Sequence, residues 1–131
     1  MERTDDKPRL EKLGMRAGAR VALIGVDDPT LAAELAAFTD DLTEGAARPG
    51  TDLIFLGAAQ PADLERLAEL RACLQPSGAI WVVSRKGRAA TLRDVEVMAA
   101  GRAAGLIDNK VVGFSASHTA LRLVIPLAAR R

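Results

Sequence analysis

Three short stretches of the chain bring together residue types that can do chemistry. The first, "GVDDP" at 25–29, follows an apolar run and offers adjacent carboxylates, Asp27 and Asp28. Paired carboxylates can exchange protons or hold a metal. No histidine or third carboxylate adjoins them in sequence, and Asp28-Pro29 is also a helix-entry pair, so capping is the favoured reading. The second, "SRKGRAATLRD" at 84–94, sets Arg85, Lys86 and Arg88 just ahead of a predicted helix that Thr91 would cap. Free amides and the positive end of a helix dipole favour an anion there, and Gly87 would allow close approach. Arg85, Lys86, Gly87, Arg88 and Thr91 are therefore a candidate anion site, weighed against the plainer reading of a solvated basic loop. The third, "SASHTA" at 115–120, holds the single histidine, His118, among hydroxyls. Adjacent residues in a turn do not make a nucleophilic triad, which geometry gathers from distant positions, so this stretch reads as a hairpin tip. Cys73 is alone, which leaves no intramolecular disulfide and no zinc-ligand cluster; it reads as a packed thiol.

The elements that must position these residues are visible as apolar runs. The chain has 131 residues, 49% hydrophobic and 27% charged, which suits one domain with one core. Apolar runs at 21–25, 51–57 and 79–83 predict strands buried on both faces of a parallel sheet. Pro8 opens a short helix carrying Leu10 and Leu13, after a lead at 1–8 expected to be disordered. Pro29-Thr30 opens a helix to about 38, and Leu64, Leu67, Leu70 and Leu74 give a helix over 63–74 its apolar stripe. "QPSG" at 75–78 predicts a helix stop and turn. Thr91 to Asp94 resembles a capping box for a helix over 91–104, stopped by Gly105. The remainder predicts two strands around a loop at 115–119. A short strand is allowed near 38–42. Trp81, inside "AIWVV", belongs to the core.

Composition narrows the partners. Eighteen basic against seventeen acidic residues leave a net charge of +1, and one Trp, three Phe and no Tyr supply no stacking platform. No nucleic-acid partner is expected. No apolar run approaches a membrane span and the charged N-terminus is unlike a signal peptide, so no membrane association and a cytoplasmic location are expected.

From residue 51 onward the chain resembles the C-terminal half of class I S-adenosylmethionine-dependent methyltransferases. The matching features are "TDLIFLG", the helix ending "LRACLQPSGAIWVV", the helix ending "AAGLIDNKV" and the final hairpin. "LEKLGMRAGARVALIG" likewise resembles the lead-in to that family's first strand. More closely, nearly the whole chain is similar to a bacterial family of short, methyltransferase-like domains with no assigned activity. The resemblance implies a small Rossmann-like α/β sheet, mostly parallel, with helices on both faces and an antiparallel C-terminal hairpin. In that family's scheme the strand order is 1-4-5-7-6, with one short strand beyond strand 1. It also implies cofactor contacts at Gly25 and Asp27. An acid at the end of the second strand would receive the ribose, for which Asp40, Asp41 and Glu44 lie at a suitable distance and Asp41 is taken.

The chain departs from that family where chemistry is concerned. A glycine-rich turn lets backbone approach a cofactor, whereas here Val26 and Asp27 carry side chains. Residues 26–51 are too few for the strand-helix units of the full fold, since one βαβ unit takes about 30 residues. The fourth-strand acceptor motif is replaced by Gly57-Ala58-Ala59-Gln60. The leading expectation is a non-catalytic binding or interaction domain on a degenerate methyltransferase-like scaffold. The alternatives are a small anion-binding module and a minimal methyltransferase using S-adenosylmethionine. A first strand lying close to a sheet edge adds the expectation of a homo-oligomer or a protein partner.

Overall fold

The computed structural model describes residues 8–130. The lead expected to be disordered therefore lies outside the described residues, apart from Pro8, which directly precedes the short helix α1 (Arg9–Lys12). The chain continues through β1 (Val21–Ile24), α2 (Pro29–Ala36), β2 (Leu42–Glu44) and β3 (Thr51–Gly57). A 3-10 turn (Pro61–Arg66) leads into α3 (Leu67–Cys73), followed by β4 (Leu74–Arg85) and α4 (Asp94–Ala103). The antiparallel pair β5 (Ile107–Gly113) and β6 (His118–Val124) closes the sheet.

The six strands lie in the order β2-β1-β3-β4-β6-β5. β2, β1, β3 and β4 run parallel, whereas β6 pairs antiparallel with both β4 and β5. This is the mixed Rossmann-like sheet that the apolar runs and the resemblance imply, including the short strand outside β1. All four residues of β1 are buried, because alternate side chains enter two different cores. On one face, Leu10 of α1 and Leu31 and Leu35 of α2 pack with Val21, Leu23, Phe55 and Trp81. On the other, Leu67 and Leu70 of α3 and Val97 of α4 pack with Ala22, Ile54, Ile80 and Leu123. The Trp81 indole N–H donates to the Leu13 carbonyl at 3.0 Å, so the largest core side chain is also satisfied.

Several local expectations are corrected. The helix expected over 63–74 starts earlier, as a 3-10 turn opened by Pro61, and becomes α-helical only at Leu67. "QPSG" is not a free turn. It lies within β4 at a register shift against β3, and Gly78 is pressed so close to the Asp52 carbonyl that a Cβ would sit 2.6 Å from it. The short strand falls at Leu42–Glu44 rather than near 38–42, after α2 has ended at Ala36. α4 begins at Asp94, not Thr91. No helix among the described residues is long and apolar enough to cross a membrane.

Candidate functional site

From β1 the chain passes to β2 on one side, then returns to place β3 on the other. Strand order therefore reverses between β1 and β3, and open α/β sheets bind ligands outside the carboxyl ends of the strands at such a point. A crevice of about 430 Å³ lies there, within the usual size range of small-molecule sites. The loops after β1 and β3 form one side of it. Val83 and Arg85 at the end of β4, and the hairpin residues Ser115, Ser117 and His118, form the other.

Gly25 turns the chain at the end of β1 with a φ of +71°, a conformation glycine adopts without strain. Val26 folds partly back onto the core beside α2. Asp28 is the N-cap of α2: its Oδ1 accepts from the Leu31 amide at 3.0 Å, and its Oδ2 from Arg9 Nη1 at 2.9 Å. Burial works against the ionised form of Asp28, but the Leu31 amide and the Arg9 guanidinium outweigh it and hold its pKa below the usual carboxylate value. The carboxylate pair is thus divided. Asp28 has the capping role expected from sequence, while Asp27 is exposed on the crevice wall. Asp63 is also engaged, accepting from the Ala59 and Gln60 amides at 2.8 and 3.1 Å and so shaping the loop after β3.

The opposite side is built by strand pairing. Arg85 and His118 are directly opposed partners on β4 and β6, so their side chains leave the same face of the sheet. The Lys86 amide donates to the Ser117 carbonyl at 3.1 Å and extends that pairing to the hairpin tip. Ser117 Oγ lies 2.7 Å from His118 Nδ1. Among the described residues Arg85 has no ion-pair partner.

The residues singled out from sequence are placed unevenly. Gly25, Asp27 and Arg85 meet in the crevice, whereas Lys86, Gly87, Arg88 and Thr91 do not line it. Thr91 caps no helix. Its hydroxyl donates to the Ala59 carbonyl, and the N-cap of α4 is Arg93, whose amide donates to Glu96 Oε1 at 2.8 Å. Without a helix start at Thr91, the dipole argument for that anion site falls. Asp41 lies at the other end of the sheet. It precedes β2, its Oδ2 accepts from Arg20 Nε at 2.9 Å, and it also pairs with Arg48. Glu44, not Asp41, occupies the carboxyl end of β2. The sequence reads Ser115, Ser117 and His118 as a plain hairpin tip, whereas the structure places that tip in the crevice wall. No group of three or more potential metal-holding side chains occurs among the described residues.

No protein-family model matches the chain, and no curated protein does either. Solved structures do match. One, a protein of Sulfolobus solfataricus taken to be a type 11 methyltransferase, superposes with a TM-score of 0.67 at 10% identity. That match covers 99% of this chain and 96% of the other. The Burkholderia thailandensis 1,6-didemethyltoxoflavin-N1-methyltransferase, solved with S-adenosylhomocysteine bound, gives a TM-score of 0.55 at 13% identity, covering 86% of this chain and 72% of that one. The mitomycin 7-O-methyltransferase MmcR gives 0.59 at 11% identity over 84% of this chain, which spans only about half of that protein (49%). At such identities the likeness is one of fold alone: the chain has the Rossmann-like fold of the class I S-adenosylmethionine-dependent methyltransferases.

Proposed function

We propose that the domain is a small-ligand-binding module on a methyltransferase-like scaffold, and that it binds without transferring a methyl group. The observation that carries this reading is the crevice itself, which three separate loops form at the switch point of the sheet. Two of the three acids that line it have structural duties, which supports a binding role over proton transfer: Asp28 caps α2 and Asp63 holds the loop after β3.

S-Adenosylmethionine is the first ligand to consider, since relatives in fold are solved with its demethylated product. Its ammonium and ribose hydroxyls suit exposed carboxylates, and Asp27 after β1 and Glu44 at the end of β2 are both exposed. Gly25 keeps the turn directly after β1 free of a side chain. Asp27 on the crevice wall would accept from the ammonium, and Glu44, which ends the neighbouring strand β2 outside the crevice lining, would accept from the ribose hydroxyls. When bound, it would supply a methyl group on a cationic sulfur.

Isothermal titration with S-adenosylmethionine and S-adenosylhomocysteine, paired with a methyl-transfer assay on small acceptors, tests the reading. Saturable binding without turnover is the expected result. Turnover dependent on Asp27 and Glu44 would establish the enzyme reading instead. Silence from both molecules would remove the cofactor and leave the crevice to another ligand.

A further inference from the structure

We propose that the wall formed by Arg85, Ser117 and His118 is an oxyanion subsite, which receives a carboxylate or phosphate group of the crevice's ligand. This rests on the reading of the crevice as a ligand site and specifies what one side of it recognises. Arg85 and His118 face each other across the β4–β6 pairing, and both line the crevice. No carboxylate of the described residues stands within ion-pair distance of Arg85. A planar guanidinium with open donors at a concave surface matches the two oxygens of a carboxylate or phosphate.

The Ser117–His118 pair adds a donor whichever way its proton lies. If the Ser117 hydroxyl donates to Nδ1 across the 2.7 Å contact, a neutral His118 carries its hydrogen on Nε2. If Nδ1–H donates to Oγ instead, the Ser117 hydroxyl hydrogen is free. Both arrangements leave one hydrogen-bond donor beside Arg85. Ser115 Oγ, 3.5 Å from Ser117 Oγ, extends the row of hydroxyls along the same wall.

The pairing between the Lys86 amide and the Ser117 carbonyl fixes the hairpin tip against the strand that carries Arg85. Arg85 and His118 are thus strand residues, and the loop that carries Ser117 is tied to the sheet beside them. Asp27 stands on the facing side of the crevice. The rest of the ligand is consequently neutral or cationic, because a second anion there would meet a like charge.

The test is a titration of the whole chain with inorganic phosphate and, separately, acetate, at ionic strength matched with chloride. Amide resonances of residues 115–118 and the Arg85 side-chain Nε–H are followed by NMR. Saturable shifts at these groups are expected; a response to phosphate alone assigns a phosphate-bearing ligand, and a response to acetate alone a carboxylate. Arg85→Gln should weaken the response by about tenfold and Arg85→Lys by less, since lysine keeps the charge but loses the fork. Ser117→Ala should weaken it without unfolding the hairpin, as seen from unchanged β6 amide dispersion. No saturable shift, or a shift undiminished in Arg85→Gln, overturns the proposal. A shift centred on Lys86 and Arg88 would overturn it as well. None of these failures touches the broader reading, which is followed separately as the perturbation of Gly25 to Asp28 by S-adenosylhomocysteine.

Discussion

Gly57 at the end of β3 lies against the carbonyl of Gly25 so closely that a Cβ at Gly57 would stand 2.2 Å from that oxygen. The contact is backbone on backbone, so no flexible side chain can yield. It seats the turn after β1 on the neighbouring strand and sets one boundary of the crevice.

Gly57→Ala should therefore displace the 25–28 turn and cost about 1–3 kcal/mol, the usual range for forcing atoms into a packed site. Gly113→Ala is the control, because a Cβ there meets nothing within 4 Å. Urea denaturation of the two variants measures the difference. Equal stability of the two would refute the close approach.

Asp28 should give the protein an acid-sensitive component of stability. Its pKa is held below 3.8 in the fold, so its contribution is complete above the unfolded carboxylate's pKa and fades as pH falls through the folded value. Asp28→Asn keeps a good N-cap but loses the charge facing Arg9, whereas Asp28→Ala loses both; the missing cap alone is worth about 1 kcal/mol. Denaturation midpoints between about pH 6 and about pH 3 should show the wild type converging on Asp28→Asn as acid is added. A constant gap across that range would contradict the assignment.

Arg9 ties α1 to two other parts of the chain. It donates to Asp28 and Glu34, reaches the Phe114 carbonyl at 3.1 Å, and stacks 4.8 Å from the Phe114 ring. Arg9→Lys preserves charge but cannot make these contacts together. The expected result is faster amide exchange in the 114–118 hairpin, with β1 and β3 unchanged. If the hairpin exchanges as before, Arg9 does not brace that wall.

Trp81 offers a direct optical readout of the core. It is the sole tryptophan and is buried, so its emission should be blue-shifted when native and move to longer wavelength on unfolding. Trp81→Phe leaves the Leu13 carbonyl without its indole donor, at a cost of about 1–3 kcal/mol for an unpaired buried acceptor. A neutral effect in thermal melts would mean that the Leu13 carbonyl finds another donor.

The frame of the fold could be read directly because its signals are local. "VALI" and "TDLIFLG" are long enough apolar runs to demand burial on both faces, and the switch-point rule then selects the loops after them. The site was only half legible because its second wall depends on register. Nothing local to Arg85 names His118 as its partner; that follows from β6 entering beside β4. The helix-start error has a similar origin. Thr91 and Asp94 have capping-box spacing, but so do Arg93 and Glu96, and the hydroxyl of Thr91 is drawn to Ala59 by a tertiary contact. Asp41 and Glu44 could not be told apart until the strand between them was located at Leu42–Glu44, which puts one acid at each end.

Strand order also governs when the crevice can exist at all. β6 inserts between β4 and β5, so the wall carrying Ser117 and His118 docks only once the chain through β6 is available. On a ribosome, a nascent chain ending before β6 would hold the glycine turn and Arg85 but not the crevice wall of Ser117 and His118. Long-range pairing of this kind is slow compared with helix formation. A ligand bound as proposed would therefore stabilise only chains in which β6 has docked, leaving a half-made chain with no such protection.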